Sequence, residues 1–231
     1  MAHTMQNFYP GAGQHSASPT RRRLAHLKNP ETALRIVAAA EQIFAQRGLA
    51  GARTGAIARA AHVNNALLYY YFRSKEDLHR YTLESLFKQL RTQVGAILEG
   101  PASPRERLIG YVMGYFDFVA AHPNYPLLFQ REMMVPRPHL REMIADNFRP
   151  LHRRLIETIR AGVKLGQFRR VDPQQTVLTL IAMTVFYFGA APVLAELWKC
   201  DPLTPQRIAA RRRAILDFLK HGLFLPAVGE R

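Results

Sequence analysis

Apolar side chains recur along most of the chain at the three- and four-residue spacing that places them on one face of a helix. The first such run follows Asn29 and Pro30, an N-cap residue and a first-turn proline. Its apolar positions include Ile36 and Phe44, and Gly48 comes directly after the run. Because glycine commonly ends helices, the pattern predicts a first helix that closes at Gly48.

Capping residues and prolines divide the remaining chain into further helices. These helices are predicted to start near Thr54, Asn64, Ser74, Ser103, Leu127, Pro138, Asp172 and Thr204. No segment shows the two-residue alternation of a strand bounded by hairpin turns. We therefore expect an all-α fold of about nine helices.

Two of these helices are expected to be long. The helix after Pro138 should run to Leu165 with a kink at Pro150, because proline removes a backbone donor inside a helix. The helix that opens at Asp172 should run to about Lys199.

The stretch 176–195 has no charged side chain and is long enough to be considered as a membrane span. It contains Gly189 and Pro192 and stands alone, so a helix buried on several sides, as at a subunit interface, is the preferred interpretation. The first twenty residues have no apolar signal core, and the single cysteine, Cys200, cannot form an intramolecular disulfide. We expect a cytoplasmic protein without membrane association.

Basic residues are concentrated at the front of the chain. The formal net charge is +15, and residues 1–75 carry ten Lys and Arg against two acids, a net of +8 in a third of the length. This favours a polyanionic partner, most often nucleic acid, with a merely soluble basic surface as the alternative. We expect a solvated basic tail over 1–28, a small helical domain over 29–78 and a larger helical domain over 79–231; DNA contact by the tail stays open.

Two short helices follow each other closely within residues 54–75. Their apolar residues Ile57, Ala61 and Leu68 can meet only if the helices cross steeply. This is the arrangement of a helix-turn-helix, in which the second helix enters the major groove of DNA. Three ordinary packed helices would give a similar apolar pattern.

The outer face of the second short helix carries side chains suited to DNA. Asn64 and Asn65 stand at its start, and asparagine can pair with adenine through two hydrogen bonds. Ala66 and Leu67 offer apolar contact for a thymine methyl group. The tyrosines at 69–71 supply hydroxyls that can reach phosphates, although they could equally cover the edge of the core.

Lys75 lies in the first turn of the fourth helix, where a cation opposes the helix dipole. A bound phosphate would satisfy both this lysine and the helix N-terminus.

The segment from Arg35 to Leu78 resembles the DNA-binding domain of the TetR (tetracycline repressor) family. The matching residues are Ala39, Ala40, Phe44, Gly48, Thr54, Ile57, Ala58, Ala61, His62, Val63, Leu68, Tyr69, Tyr71, Phe72, Ser74, Lys75, Glu76 and Leu78. The C-terminal part is similar more loosely, through residues 166–168, Asp172-Pro173 and the uncharged helix that follows.

The resemblance implies a role for each matching position of the two short helices. The residues expected to touch phosphates are Arg53, Thr54, Tyr69, Tyr71 and Lys75. The residues expected to face bases are Asn64, Asn65, Ala66 and Leu67.

Three positions depart from the family pattern. Gly55 stands where relatives often have a contacting side chain, so that contact is absent. His62 replaces the usual glycine at a position that needs a left-handed backbone, which histidine tolerates better than a branched residue. Leu67 replaces a small polar residue and bears on which operator is recognised.

The resemblance also implies a regulator that dimerises through its last two helices, binds double-stranded operator DNA and responds to a small molecule. A pocket for an apolar or aromatic effector would be lined by Tyr111, Tyr115, Phe116, Phe118, Phe129, Met133, Phe186 and Tyr187. A filled core is the alternative for each of these residues. Repression is expected, activation stays open, and no cofactor is implied.

Other classes of protein are weighed against this one. An architectural DNA-binding protein without effector control would have the same N-terminal third and is the main alternative. A membrane-surface protein is the weaker alternative. An enzyme is not expected, because no site is visible and the pair Glu76 and His79, spaced as in a di-iron bundle, occurs once where such a bundle needs it twice.

Overall fold

The computed structural model describes residues 30–134 and 138–226, and the regular structure in this part of the chain is helical apart from one isolated β-bridge between Phe168 and Phe224. Its helices are α1 (Pro30–Gly51), α2 (Thr54–Ala60), α3 (Asn65–Tyr71), α4 (Lys75–Glu99), α5 (Pro104–Ala121), α6 (Tyr125–Met134), α7 (Pro138–Met143), α8 (Arg149–Lys164), α9 (Pro173–Gly189), α10 (Ala191–Trp198) and α11 (Pro205–Phe218). Short π-helical turns, Ile144–Phe148 and Leu219–Leu223, follow α7 and α11. The all-α prediction is confirmed, and the expected basic tail lies outside the described residues.

Two backbone predictions in the N-terminal helices are confirmed. Gly48 has φ +65° and ψ 175°, so the regular part of α1 ends there although a further turn continues to Gly51. His62 has φ +55° in the turn between α2 and α3, the left-handed conformation that its position was expected to need.

Most of the predicted helix starts are confirmed by their caps. The Asn64 side chain accepts from the third residue of α3, and Ser103 and Glu106 form a complete capping box at α5. Thr54 was expected to cap α2, but Arg53 occupies the N-cap position and Thr54 is the first helical residue.

The two long helices are each divided, which raises the number of helices from the expected nine to eleven in the described ranges. Pro150 sits in the first turn of α8, after the π-helical turn Ile144–Phe148, because its ring and missing N–H prevent a regular helix through this point. The uncharged helix stops at Gly189, and Pro192 lies at the start of α10.

The bend between α9 and α10 is 67°. Within the described residues, no individual helix has the length and apolar character needed to cross a membrane, and only the bent pair of α9 and α10 meets those criteria together.

Helix α4 connects the small N-terminal bundle to the larger helical part. It packs against α1 on one side and α5 on the other, and α8 and α9 complete the larger core. Under α1–α3 lies an apolar cluster whose members are almost fully buried: Ile36, Ala40, Phe44, Ile57, Leu68 and Phe72. This cluster fixes how α2 and α3 face solvent.

One close approach in the larger core excludes any side chain. A Cβ on Gly162 of α8 would lie 2.3 Å from Cδ2 of the buried Phe168. The backbone carbonyl of Gly162 also accepts from the amides of Gln167 and Phe168, so the chain turns back tightly over this glycine.

We expect Gly162→Ala to destabilise the protein by about 2 kcal/mol, because overpacking forces a rigid ring or the helix to move. The matched control is Gly95→Ala in α4, whose Cβ would meet Leu151 at an ordinary 3.8 Å. That change should be neutral or stabilise by about 0.5–1 kcal/mol, the usual gain from replacing a helical glycine. Urea unfolding of both variants tests the contrast, and equal midpoints would contradict it.

Candidate nucleic-acid interface

An open groove of about 640 Å³ lies between the start of α2 and the start of α3. It is lined by Ala52, Arg53, Thr54, Gly55, Ala56, Arg59, Asn65, Tyr69 and Lys75. Five of the nine residues predicted for DNA contact therefore line one surface depression: Arg53, Thr54, Asn65, Tyr69 and Lys75.

Short contacts join the two helices across this groove. The Thr54 hydroxyl lies 3.3 Å from the Tyr69 hydroxyl, so the two side chains share a hydrogen bond. A Cβ on Gly55 would lie 3.8 Å from Nδ2 of Asn65, so the absent side chain leaves that amide unobstructed. Ala66 and Leu67 are also exposed, as predicted for residues on the outer face of α3.

Asn64 has a structural task that limits its predicted role. Its Oδ1 accepts from the Leu67 backbone amide at 2.7 Å and so caps α3. A bidentate pair with adenine needs both the oxygen and the nitrogen of the amide. The cap uses one lone pair of the Asn64 oxygen and fixes that oxygen toward α3, which hinders a bidentate pair with adenine, whereas the Asn65 side chain is exposed.

The structure does not place Tyr71 on the outer face. Its side chain is 4% exposed and belongs to the core, because α3 turns by about 100° per residue and Tyr71 shares the inner face with Leu68. Tyr70 is 63% exposed and packs edge-on against Tyr71. The exposed tyrosines of α3 are therefore Tyr69 and Tyr70, whereas the predicted phosphate contact was at Tyr71.

Lys75 is partly engaged within the chain. Its ammonium group donates to the carbonyl oxygens of Ala52 and Ala50, at 3.2 and 3.5 Å. A lysine ammonium has three N–H donors, so a further acceptor can still be bound.

Exposed guanidinium groups give this surface a positive charge. Arg53 and Arg59 lie at the groove, and Arg73 is exposed in the turn before α4. Sequence reasoning missed Arg59, although its position as the one cation in a short, otherwise uncharged helix is visible in the printed sequence.

The aromatic residues predicted to line an effector pocket are only partly gathered in one place. Tyr111, Tyr115, Phe116 and Phe118 are buried on α5, and Phe129 on α6 packs beside them. Tyr125 was not among the residues predicted to line the pocket. It is fully buried, and its hydroxyl lies 3.0 Å from that of Tyr115.

The buried phenols stay protonated. Burial raises the pKa of Tyr111, Tyr115 and Tyr125 well above the ordinary tyrosine value. In the pair formed by Tyr115 and Tyr125, one hydroxyl donates and the other accepts. The proton of the accepting hydroxyl therefore points away from this hydrogen bond, in an environment that is otherwise aromatic.

Three of the predicted pocket residues lie elsewhere. Met133 is 53% exposed and Phe186 is 71% exposed, because each points away from the core on its own helix. Tyr187 is buried against the loop after α10, where its hydroxyl donates to the Pro202 carbonyl, and burial raises its pKa. These positions do not belong to the aromatic cluster of α5 and α6.

The sequence matches two protein-family models, which together cover most of the described helices. Residues 36–82 match "Bacterial regulatory proteins, tetR family", and residues 104–219 match "Tetracyclin repressor-like, C-terminal domain". The chain is 26% identical over 193 residues to the HTH-type transcriptional repressor NicS of Pseudomonas putida, across 81% of this chain and 90% of that protein.

Solved structures share the fold. The ketosteroid transcriptional regulator KstR2 of Mycobacterium tuberculosis superposes with a TM-score of 0.72 at 21% identity, covering 87% of this chain and 98% of that one. A transcriptional regulator from Saccharomonospora viridis in complex with choline gives a TM-score of 0.67 at 24% identity, covering 85% and 99%. With the groove and the helix-turn-helix in place, the two family models matched over residues 36–82 and 104–219 show that the chain belongs to the TetR family of transcriptional regulators.

Proposed function

We propose that this protein is a homodimeric repressor that acts in the cytoplasm, binds a palindromic operator and is released from it by a small apolar or aromatic effector. The observation that carries the proposal is the groove between α2 and α3, which brings five predicted DNA-contacting residues together beside an exposed α3. In this arrangement, phosphate contacts position the protein and base contacts give specificity.

The groove is proposed to make the phosphate contacts, and the outer face of α3 is proposed to make the base contacts. Arg53, Thr54, Tyr69 and Lys75 are proposed to bind phosphates, and Arg59 joins them as a further cation. Asn65, Ala66 and Leu67 are proposed to face base edges, together with Asn64, which also caps α3.

Asn65→Ala and Lys75→Ala should weaken DNA binding in different ways. Asn65→Ala should cost about 1–3 kcal/mol on the operator and little on random DNA, because it removes a base contact. Lys75→Ala should weaken binding to every sequence and lower the slope of log affinity against log salt by about 1. The measurement is a mobility shift on DNA flanking the gene, at several salt concentrations.

Arg154→Ala is the charge-matched control, since Arg154 pairs with Glu99 on the larger part of the molecule. It should leave specificity and salt slope close to those of the parent protein. Equal binding of all variants to operator and random DNA would count against the repressor proposal.

An exposed apolar face on α9–α11 supports dimerisation. Its large exposed side chains are Leu178, Phe186, Val193, Leu197, Trp198 and Phe218. A patch of this kind on a soluble chain usually marks an interface. A palindromic operator requires a two-fold partner, with half-sites about one helical turn apart, and a second copy packed through this face would supply it.

Phe186→Glu should shift the protein from dimer to monomer at micromolar concentration, because it would bury a charge in the proposed interface. Leu34→Glu is the matched control: Leu34 is 63% exposed on α1, far along the chain from that face. Sedimentation velocity separates the two states. A monomeric parent protein, or a dimer that tolerates both changes equally, would overturn the proposed interface.

The aromatic cluster of α5 and α6 is the proposed effector site. Tyr115 and Tyr125 place protonated hydroxyls among rings that include Phe118 and Phe129. Such a site suits an apolar ligand carrying one hydrogen-bond acceptor. The Saccharomonospora viridis relative binds choline, which supports ligand control in this fold without identifying the ligand here.

The neutral fluorophore 1-N-phenylnaphthylamine tests this site in the full chain. Its emission should rise saturably with one probe bound per protomer. Phe129→Trp should weaken binding about tenfold by filling space, on the basis of overpacking costs. Met133→Trp, on the same helix but at an exposed position, should not weaken it. Unsaturable emission, or no difference between the variants, would favour DNA binding without effector control.

A further inference from the structure

The segment 45–52 joins the regular part of α1 to the start of α2, and two cations from elsewhere bind its carbonyl oxygens. The last carbonyls of a helix lack partners within the helix. Here Arg131 of α6 donates through Nε to Ala45 at 3.0 Å and through Nη2 to Gln46 at 3.2 Å. Lys75 of α4 binds Ala50 and Ala52 on the other side of Gly48.

Gly48 makes room for this arrangement. A Cβ at this position would lie 3.3 Å from Nη1 of Arg131, closer than most side chains tolerate. The same residue has φ +65°, so both the backbone turn and the neighbouring guanidinium group favour glycine.

Helix α6 is itself held against α1 and α4 by polar contacts. His79 of α4 lies 4.0 Å from the buried Glu132 of α6 and packs edge-on against Phe44 of α1. Asn124, just before α6, donates to Glu41 of α1 at 3.5 Å, and burial raises the pKa of that carboxyl group. Arg131 therefore lies on a helix that also contacts α1 and α4 through other polar side chains.

We propose that Arg131 is a positioning residue for DNA binding. It fixes one end of segment 45–52, and the other end of that segment leads directly to Arg53 and Thr54 and holds the ammonium group of Lys75. The inference rests on the proposed DNA-binding function. It adds that a side chain of the larger helical part, which does not line the groove, sets the geometry of the phosphate-binding residues.

A direct phosphate contact by Arg131 is a different hypothesis, and the two can be distinguished. If Arg131 contacted a phosphate directly and independently, its loss and that of Lys75→Ala would multiply in their effects on affinity. A positioning residue that acts through the segment held by Lys75 should instead lose most of its effect once Lys75 is absent.

The experiment is a double-mutant cycle on operator DNA with the full chain, using Arg131→Ala, Lys75→Ala, the double variant and the charge-matched control Arg154→Ala. Arg131→Ala should lower affinity about tenfold beyond Arg154→Ala, consistent with the loss of charge-assisted hydrogen bonds. In the Lys75→Ala background, the further loss should be less than threefold, or about 0.65 kcal/mol.

Arg131→Lys keeps the positive charge but lacks the guanidinium group that donates to two carbonyls, so it should give an intermediate affinity. If Arg131→Ala does not fold, Arg131→Lys replaces it in the comparison with the control. Amide hydrogen exchange should speed up in residues 49–54 of either variant and not in α8. Affinity equal to that of Arg154→Ala, or multiplicative losses in the cycle, would overturn the inference. Failure of the parent protein to bind DNA would instead reject the proposed function.

Discussion

The outer face of α3 depends on the apolar contact beneath it. Helices α2 and α3 have seven residues each, and helices this short are not stable alone in water. Ile57 and Leu68 are completely buried in the same apolar cluster as Phe44 of α1 and Phe72 of the following turn. The exposure of Asn65 and Tyr69 is therefore a consequence of where four apolar side chains pack.

Sequence signals with a local physical cause predicted the fold well. Gly48, His62 and the N-cap residue Ser103 each act within a few residues, and each is found where the sequence predicts a helix end, a left-handed turn or a helix start. The break after Gly189 was not expected, because an uncharged run gives no periodic signal that separates one buried helix from two. Pro150 was recognised as a disturbance, but its π-helical turn depends on packing that the sequence alone does not display.

The site was harder to predict than the fold, because side-chain roles depend on neighbours distant in sequence. Spacing alone could not show that Lys75 binds carbonyls twenty-three and twenty-five residues earlier. Tyr71 matched a family pattern, yet its place on the inner side of α3 puts it in the core. Phe186 is aromatic like its supposed pocket neighbours, and only the packing of α9 shows that it faces outward.

The cap formed by Asn64 also constrains how DNA recognition can diverge. The side chain that begins α3 is adjacent to the residues proposed to read bases, so helix stability and operator preference share one position. Replacements that keep the helix are mostly small and polar, such as Ser, Thr or Asp. Substitutions that change operator preference would therefore be tolerated more readily at Asn65 and Leu67 than at Asn64, where they would also remove the helix cap.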